Sequence, residues 1–289
     1  MARVVVVHGI NNTYNGPHQM ASTWVPALLD GLRLARCDQA LSAEEVTCVS
    51  YGDLFRPAGR FLGDEDLPWL EADDVEAGFE QDLLGVWWQA ASEADAGVIA
   101  PDASTLGASR MVQSALAALS CSRFLAEVSE RVLIFWLKQV RRYFTDDALR
   151  REVQARFAAG VGADTRVVVA HSLGSVVAYE ALCAHPQWPV TTLVTLGSPL
   201  GIRNLVFDRL SPAPTTGDEG WRGMWPDGVQ RWTNITDAGD FVALVKCLRT
   251  RFGDEVVDVG IDNGIGAHQV QRYLSAAETG AAICAGLRR

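Results

Sequence analysis

The sequence predicts an α/β protein with a mostly parallel sheet flanked by helices. Two short apolar runs rich in valine, at 3–7 and 167–170, have the composition of strands that are buried on both faces. Further strand patterns, each separated from the next by a helical or irregular stretch, lie at 45–51, 191–196, 230–236 and 255–261. This alternation predicts a parallel sheet with right-handed crossovers and helices on both of its faces.

Length and charge set limits on the organisation of the chain. With 289 residues and 48% hydrophobic residues, the sequence fits a single domain over 1–289 with one insertion at 52–144. The segment 53–110 contains 13 acidic and 3 basic residues, so it carries a charge equal to the whole net charge of −10. No basic patch of the kind that binds nucleic acid is present, and we therefore expect no nucleic-acid partner.

A candidate nucleophile follows the strand at 167–170. Ala170, Ser172 and Gly174 form a G-x-S-x-G pattern in which alanine replaces the first glycine, and a helical pattern begins directly afterwards. Small residues on both sides of a serine permit a strained strand-to-helix turn that presents the hydroxyl outward. The alternative is a purely structural Gly-Ser turn. In its strand–turn–helix setting, the motif resembles the nucleophile elbow of the α/β-hydrolases, and this resemblance implies that Ser172 is catalytic.

The resemblance also implies an oxyanion hole. The first strand runs into His8-Gly9-Ile10, which is similar to the loop that supplies one oxyanion-hole amide in α/β-hydrolases. We expect the amide of Ile10, or of a neighbour, to act together with the amide of Leu173. A tight βα turn with no catalytic role is the alternative for the first of these loops.

Two further residues complete a candidate triad. Asp240 follows the strand at 230–236 and precedes a predicted helix at 241–248, and His268 follows the last strand in a glycine-rich loop. The order Ser172, Asp240, His268 is that of α/β-hydrolase triads, and all three are expected at the carboxyl edge of the sheet. Asp237 is the main alternative for the acid. The other four histidines lie in strand turns or loops elsewhere in the sequence.

The insertion at 52–144 contains two helical patterns, at 69–91 and 110–143. The second includes the apolar run 132–137, and charged residues within the pattern exclude a membrane span. Insertions of this kind form a cap over the pocket in similar hydrolases, so we expect a largely helical cap. Packing of its apolar residues in the core of the main domain is the alternative.

The six cysteines are scattered and show no C-x-x-C spacing, which favours free thiols in a reducing cytoplasm without disulfides or a zinc site. The chain begins with a strand pattern, not with a signal-peptide pattern. No apolar run is long enough to span a membrane. From these features we expect a cytoplasmic protein that has no metal or cofactor.

Together these features predict a serine hydrolase that is similar to lipase- and esterase-like α/β-hydrolases, including those of the GPI-inositol deacylase type. The resemblance implies cleavage of a small acyl ester through an acyl-enzyme. Thioesterase or peptidase activity of the same triad, and an inactive binding or signalling module, are the alternatives. A weak contact with a membrane surface and either a monomer or a homodimer are compatible with the sequence.

Overall fold

A six-stranded parallel sheet forms the centre of the structure, a computed structural model that describes residues 2–56, 68–101, 108–125, 128–217 and 220–288. Within these residues the strands are β1 (Val4–Val7), β2 (Val46–Val49), β3 (Val167–His171), β4 (Thr192–Leu196), β5 (Thr215–Gly217), β6 (Gly220–Arg222), β7 (Arg231–Asp237) and β8 (Val256–Ile261). The large sheet has the order β2-β1-β3-β4-β7-β8, and every neighbouring pair in it is parallel. The predicted α/β class and parallel sheet are confirmed.

The helices of the described residues are α1 (Pro17–Leu34), α2 (Phe79–Ala94), α3 (Ala108–Ser120), α4 (Glu130–Thr145), α5 (Asp147–Gly160), α6 (Leu173–Ala184), α7 (Arg249–Phe252), α8 (Val270–Ser275) and α9 (Ala277–Leu287). Local chemistry explains several of their ends. Pro17 opens α1, where a missing N–H breaks no hydrogen bond. The carboxylate of Asp146 accepts hydrogen bonds from the first amides of α5. None of the described helices has both the length and the apolar composition of a membrane span.

Alternate residues of each central strand enter two different cores. In β1, Val5 and Val7 belong to a core shared with α2 to α6, whereas Val4 and Val6 belong to a core shared with α1, α8 and α9. This division follows from the two-residue period of a strand, because successive side chains point to opposite faces. Helices therefore cover both faces of the sheet, as the near-continuous apolar strands predicted.

The helices of the insertion pack against the main domain. Buried side chains of α2 and α4, such as Trp87 and Leu133, belong to the same core as Val5 of the sheet. Buried Glu80 ties α2 to α4, since it accepts hydrogen bonds from Lys138 at 3.3 Å and Arg141 at 2.7 Å. Core packing therefore accounts for most apolar residues in the described part of the insertion, in agreement with the alternative interpretation of its sequence.

Three local predictions from the sequence are wrong. The helix predicted at 69–91 begins only at Phe79, and the helix predicted at 110–143 is divided into α3 and α4. Ser129 explains the second break, because its side chain caps α4 by accepting a hydrogen bond from the amide of Val132. Residues 241–248 are not helical. Side-chain bonds organise this segment instead, since Lys246 Nζ donates to the carbonyl oxygens of Asp237 and Asp240.

The expectation that the chain has no disulfide is also wrong. Cys37, which follows α1, is bonded to Cys284 in α9, whereas Cys48, Cys121, Cys183 and Cys247 are free thiols. The two bonded cysteines are 247 positions apart, so no local spacing in the sequence indicates their pairing. They meet because α1 and α9 pack closely: a Cβ added to Gly280 would lie only 2.0 Å from the carbonyl oxygen of Gly31.

We predict that loss of the Cys37–Cys284 bond destabilises the protein. The bond closes a loop of most of the chain, and removing such a cross-link lowers the free energy of unfolding by roughly 2–5 kcal/mol. Urea unfolding of the Cys37→Ser variant measures this loss, and Cys121→Ser, which removes an exposed free thiol, is the matched control. Thiol titration that finds six accessible cysteines in the unreduced, unfolded protein would contradict the assignment of the bond.

Candidate active site

Ser172 occupies the turn between β3 and α6 in a strained backbone conformation. Its φ is 52° and its ψ is −130°, a combination that non-glycine residues rarely adopt. Three hydrogen bonds hold the turn. The amide of Ser172 donates to Leu196 O at 3.0 Å, and the amide and Oγ of Ser175 donate to Ser172 O at 2.9 and 2.6 Å. The surroundings therefore determine this conformation, as is common for residues at functional sites.

Glycines make room for the strained turn. A Cβ added to Gly9 would lie 2.4 Å from Ser172 Cβ, and one added to Gly174 would lie 2.4 Å from His8 O. The backbone of the first loop thus packs directly on the serine, whose exposed fraction is only 2%. The sequence predicted an outward hydroxyl, and the structure differs because this loop covers it.

Asp240 and His268 are brought together by the loops that follow β7 and β8. Nδ1 of His268 lies 2.8 Å from Oδ2 of Asp240. Nε2 of the same ring is buried and has no hydrogen-bond partner among the described residues. The ring is therefore held through one nitrogen while the other remains available to accept a proton, which is what a general base requires.

The serine and the histidine are linked through their neighbours. The ring of His171, directly before Ser172, packs at a tilt against that of His268 with ring centroids 4.6 Å apart, and its Nε2 lies 3.1 Å from the carbonyl oxygen of His268. A Cβ added to Gly197 would lie 3.1 Å from Nδ1 of His268, and Gly197 follows the residue that accepts the amide of Ser172. The order Ser172, Asp240, His268 predicted at one sheet edge thus corresponds to one cluster in space.

The carboxylate of Asp240 is fully buried and has four hydrogen-bond donors. Its Oδ2 accepts from Tyr273 at 2.7 Å as well as from His268, and its Oδ1 accepts from the amides of Val242 and Ala243. Burial opposes ionisation, but the charge and hydrogen bond of His268 outweigh it and lower the pKa of Asp240 to about 2. The aspartate is therefore charged at neutral pH and can fix the tautomer of His268.

Asp237 has a different role. Its Oδ1 accepts from the amide of Gly239 at 2.6 Å, and its Oδ2 accepts from the amide of Asn263. These bonds connect the loop after β7 with the loop that carries His268. Asp237 thus shapes the two loops, while Asp240 is the carboxylate that contacts the imidazole.

Two other histidines are buried beside the site and are uncharged. Burial lowers the pKa of His171 to about 3, and the charge of His268 acts in the same direction. Burial also lowers the pKa of His8 to about 4. Nε2 of His8 accepts the amide proton of Tyr51 at 3.0 Å, so its Nδ1 carries the proton and donates to Gly9 O. His8 consequently supports the loop before Ile10.

The predicted oxyanion-hole amides lie on two sides of this cluster. Leu173 is the first residue of α6, and Ile10 follows Gly9, whose backbone covers Ser172. Neither amide donates a hydrogen bond to another group in the described part of the chain. Gln139 of α4 holds the loop, because its Oε1 accepts from the amide of Asn11 and its Nε2 donates to Thr13. Both amides therefore remain without a protein partner in the described part of the chain.

A cavity of about 740 Å³ opens beside His268. Ile10, His171 and Phe241 line it from the main domain, and Phe124 and Trp136 line it from the insertion. Ser172 is not part of the lining, in keeping with its burial under Gly9. Thus Phe124, Val128 and Trp136 contribute one wall of the cavity, although most of the apolar run at 132–137 is buried in the core.

Some residues of the site could not be found from motifs. Tyr273 and Lys246 support Asp240 from positions with no recognisable spacing to the triad. The sequence does indicate Gly197, because it is the first residue of the Gly-Ser-Pro that follows β4. A Cβ at this position would lie 2.6 Å from Oδ2 of Asp240. As for metals, the described residues place one group of suitable ligands together, Cys37, Asp38 and Cys284, and its two sulfurs are already bonded to each other.

We predict that Asp240→Asn lowers the kcat of any reaction that depends on His268 far more than Asp237→Asn does. Only Asp240 contacts the imidazole, and its loss leaves the ring without a charged partner, which costs about 10⁴ in kcat in comparable triads. The two kcat values measured on one ester substrate give the ranking, with circular dichroism to verify folding. A larger loss in Asp237→Asn would assign the acid to Asp237.

We also predict that acidification destabilises the fold through His8 and His171. Both have lowered pKa values in the folded protein, so the unfolded chain binds protons first as the pH falls below about 6.5. The free energy of unfolding therefore decreases between pH 6.5 and about 4, by roughly 3 kcal/mol from His8 alone. Asp240 contributes only below this window, because its stabilising charge is lost between about pH 4 and 2.

Urea unfolding at several pH values between 7 and 4 measures this slope. His8→Gln should flatten it, and His18→Gln, a change at an exposed position, is the matched control. An unchanged slope in His8→Gln would show that the ring is already protonated in the folded protein.

Comparison with known proteins leaves the geometry as the basis for any functional conclusion. No protein-family model, curated protein or solved structure matches this chain. What the cluster of Ser172, Asp240 and His268 does must therefore be argued from its own chemistry.

Proposed function

We propose that the protein is a serine hydrolase that cleaves carboxylic esters, with Ser172 as nucleophile, His268 as general base and Asp240 as the acid that orients it. The observation that carries the proposal is the buried Asp240–His268 pair. Its Nε2 has no hydrogen-bond partner among the described residues, and its imidazole packs against His171, which directly precedes the strained turn at Ser172. A weakly acidic hydroxyl becomes nucleophilic only beside a base, and such a base needs a fixed tautomer. This site has a group suited to each requirement.

The proposed reaction proceeds in two halves. His268 accepts the proton of Ser172 Oγ as this oxygen attacks the ester carbonyl, and it then returns the proton to the leaving alcohol. A water molecule next attacks the acyl-enzyme with the same histidine as base. The amides of Ile10 and Leu173 stabilise the oxyanion in both halves, a contribution worth about 3 kcal/mol for each donor. Asp240 remains ionised throughout because of its low pKa.

The choice of an ester over a thioester or an amide is part of the proposal, because the triad does not select the leaving group. The proposal also includes an α/β-hydrolase-like fold, with which the parallel sheet and flanking helices are compatible. A catalytically inactive binding module is the competing reading. The aligned base and acid count against it, because burying the ionised carboxylate of Asp240 is unfavourable and a binding module has no use for it.

The proposal includes the cytoplasmic location expected from the sequence. The four free cysteines fit a reducing compartment. The Cys37–Cys284 bond counts against it, since disulfides are uncommon in proteins of such compartments. Cell fractionation, with alkylation of free thiols before lysis, distinguishes the cytoplasm from an oxidising compartment.

We predict that Ser172→Ala abolishes labelling by a fluorophosphonate probe and lowers kcat on short p-nitrophenyl esters by about 10⁴ or more. Ser198→Ala is the matched control, because Ser198 is a buried serine that bonds Ser175 Oγ and the amide of Leu200 within the neighbouring turn. This control should remain labelled. Labelling of Ser172→Ala at the wild-type rate would place the nucleophile elsewhere.

A further inference from the structure

The cavity beside His268 differs in charge from the rest of the molecule. The chain has a net charge of −10, yet the described residues that line this cavity include two arginines, Arg123 and Arg272, and no aspartate or glutamate. The other described lining residues are apolar or amide-bearing, together with Thr23, Gly266 and the two histidines. A positive site in a negatively charged protein attracts anions selectively, because the field is concentrated in the cleft.

Arg272 is built into the loop that carries the proposed base. Its Nη1 donates to Asn263 O at 2.6 Å, and its Nε donates to Gln269 Oε1 at 3.1 Å. A Cβ on Gly266 would lie 2.5 Å from Nε, so the glycine allows the guanidinium to lie across the loop. These partners are neutral, and no carboxylate of the described residues forms an ion pair with Arg272. Its positive charge is positioned but not neutralised.

Arg123 lies on the insertion side of the cavity. Its guanidinium carbon is 4.7 Å from the centre of the Phe124 ring. It also acts electrostatically on Asp95, whose carboxylate accepts hydrogen bonds from the amides of Gly97 and Arg123. The carboxylate of Asp95 therefore offsets part of the positive charge of Arg123. Arg272 is for this reason the stronger candidate for an anion contact.

From this arrangement we propose that the natural substrate is a negatively charged ester, whose anionic group is bound by Arg272 with Arg123 as a second contact. This inference rests on the proposed ester hydrolysis. A guanidinium binds a carboxylate through charge-assisted and often bidentate hydrogen bonds, which supply both affinity and orientation. Because Arg272 and His268 line the same cavity, an anion held at Arg272 positions the ester near the base.

Arg272 could instead serve only to hold the loop, and the experiment must separate the two roles. Loss of a structural clamp lowers the rates of charged and neutral esters by the same factor. Loss of a recognition group lowers the rate of the charged ester alone. The informative quantity is thus the ratio of kcat/KM for a charged ester to kcat/KM for a matched neutral one.

The test uses two matched pairs of esters, so that the anion is presented on either side of the carbonyl. Mono-p-nitrophenyl glutarate is compared with p-nitrophenyl butyrate, and 3-(butyryloxy)benzoate is compared with phenyl butyrate. Each ratio is measured at low ionic strength and again in 1 M salt. High salt reduces the screening length to about 3 Å and should reduce a ratio that depends on charge.

We expect the wild-type protein to prefer the charged member of at least one pair by about tenfold at low salt, which is the effect of one charge-assisted hydrogen bond from the exposed Arg272. Arg272→Gln should lower that ratio to about one, and Arg272→Lys should retain part of it. Arg123→Gln should lower it by a smaller factor. Arg231→Gln, at an exposed position that begins β7, is the matched control and should leave the ratio unchanged.

Equal rates within both pairs in the wild-type protein would overturn the inference. So would an Arg272→Gln variant that slows the charged and neutral esters by the same factor, since this result assigns Arg272 to loop structure alone. If no ester is hydrolysed and the fluorophosphonate probe does not label Ser172, the proposed function itself fails. The neutral esters thus distinguish failure of the charge preference from failure of the catalytic assignment.

Discussion

Close backbone packing at the carboxyl edge of the sheet is the constraint on which the candidate site depends. Ser172 is strained, and the strain persists because Gly9, Gly174 and Gly197 let three loops approach to distances that any side chain would prevent. The strained turn costs of order 1–3 kcal/mol, which the hydrogen bonds and the buried sheet around it must offset. A local conformation is thus maintained by residues distant in sequence.

A second level of organisation surrounds Asp240. Burying a carboxylate is unfavourable unless hydrogen bonds and a nearby positive charge compensate. Here the donors come from the following loop, from α8 and from His268, and Lys246 links the carbonyl oxygens of Asp237 and Asp240. The loops after β7 and β8 therefore form a rigid support on which the imidazole is carried.

Much of the fold could be predicted from the sequence, because a parallel strand buried on both faces leaves a clear apolar run, as at Val4–Val7 and Val167–His171. For Ser172, Asp240 and His268, the position at the carboxyl edge of the sheet could be predicted, because each follows a strand that the sequence indicates. Contacts between distant positions left no such pattern. The Cys37–Cys284 bond and the support of Asp240 by Tyr273 arise only from three-dimensional packing. The predicted helix at 241–248 failed for a related reason, since tertiary side-chain bonds outweighed local helical propensity.

The pairing of β1 has a consequence for how the molecule acquires its structure. Val4 is paired with Val46 on one side and with Val167 on the other. The first strand therefore cannot complete its pairing until residues far along the chain have been synthesised. Contacts between such distant positions must overcome a large loss of chain entropy before they stabilise anything, and proteins rich in them fold slowly. The loops bearing Asp240 and His268 follow strands added later still. The nascent chain therefore exposes apolar strands for a long interval, during which assistance from chaperones is of most value.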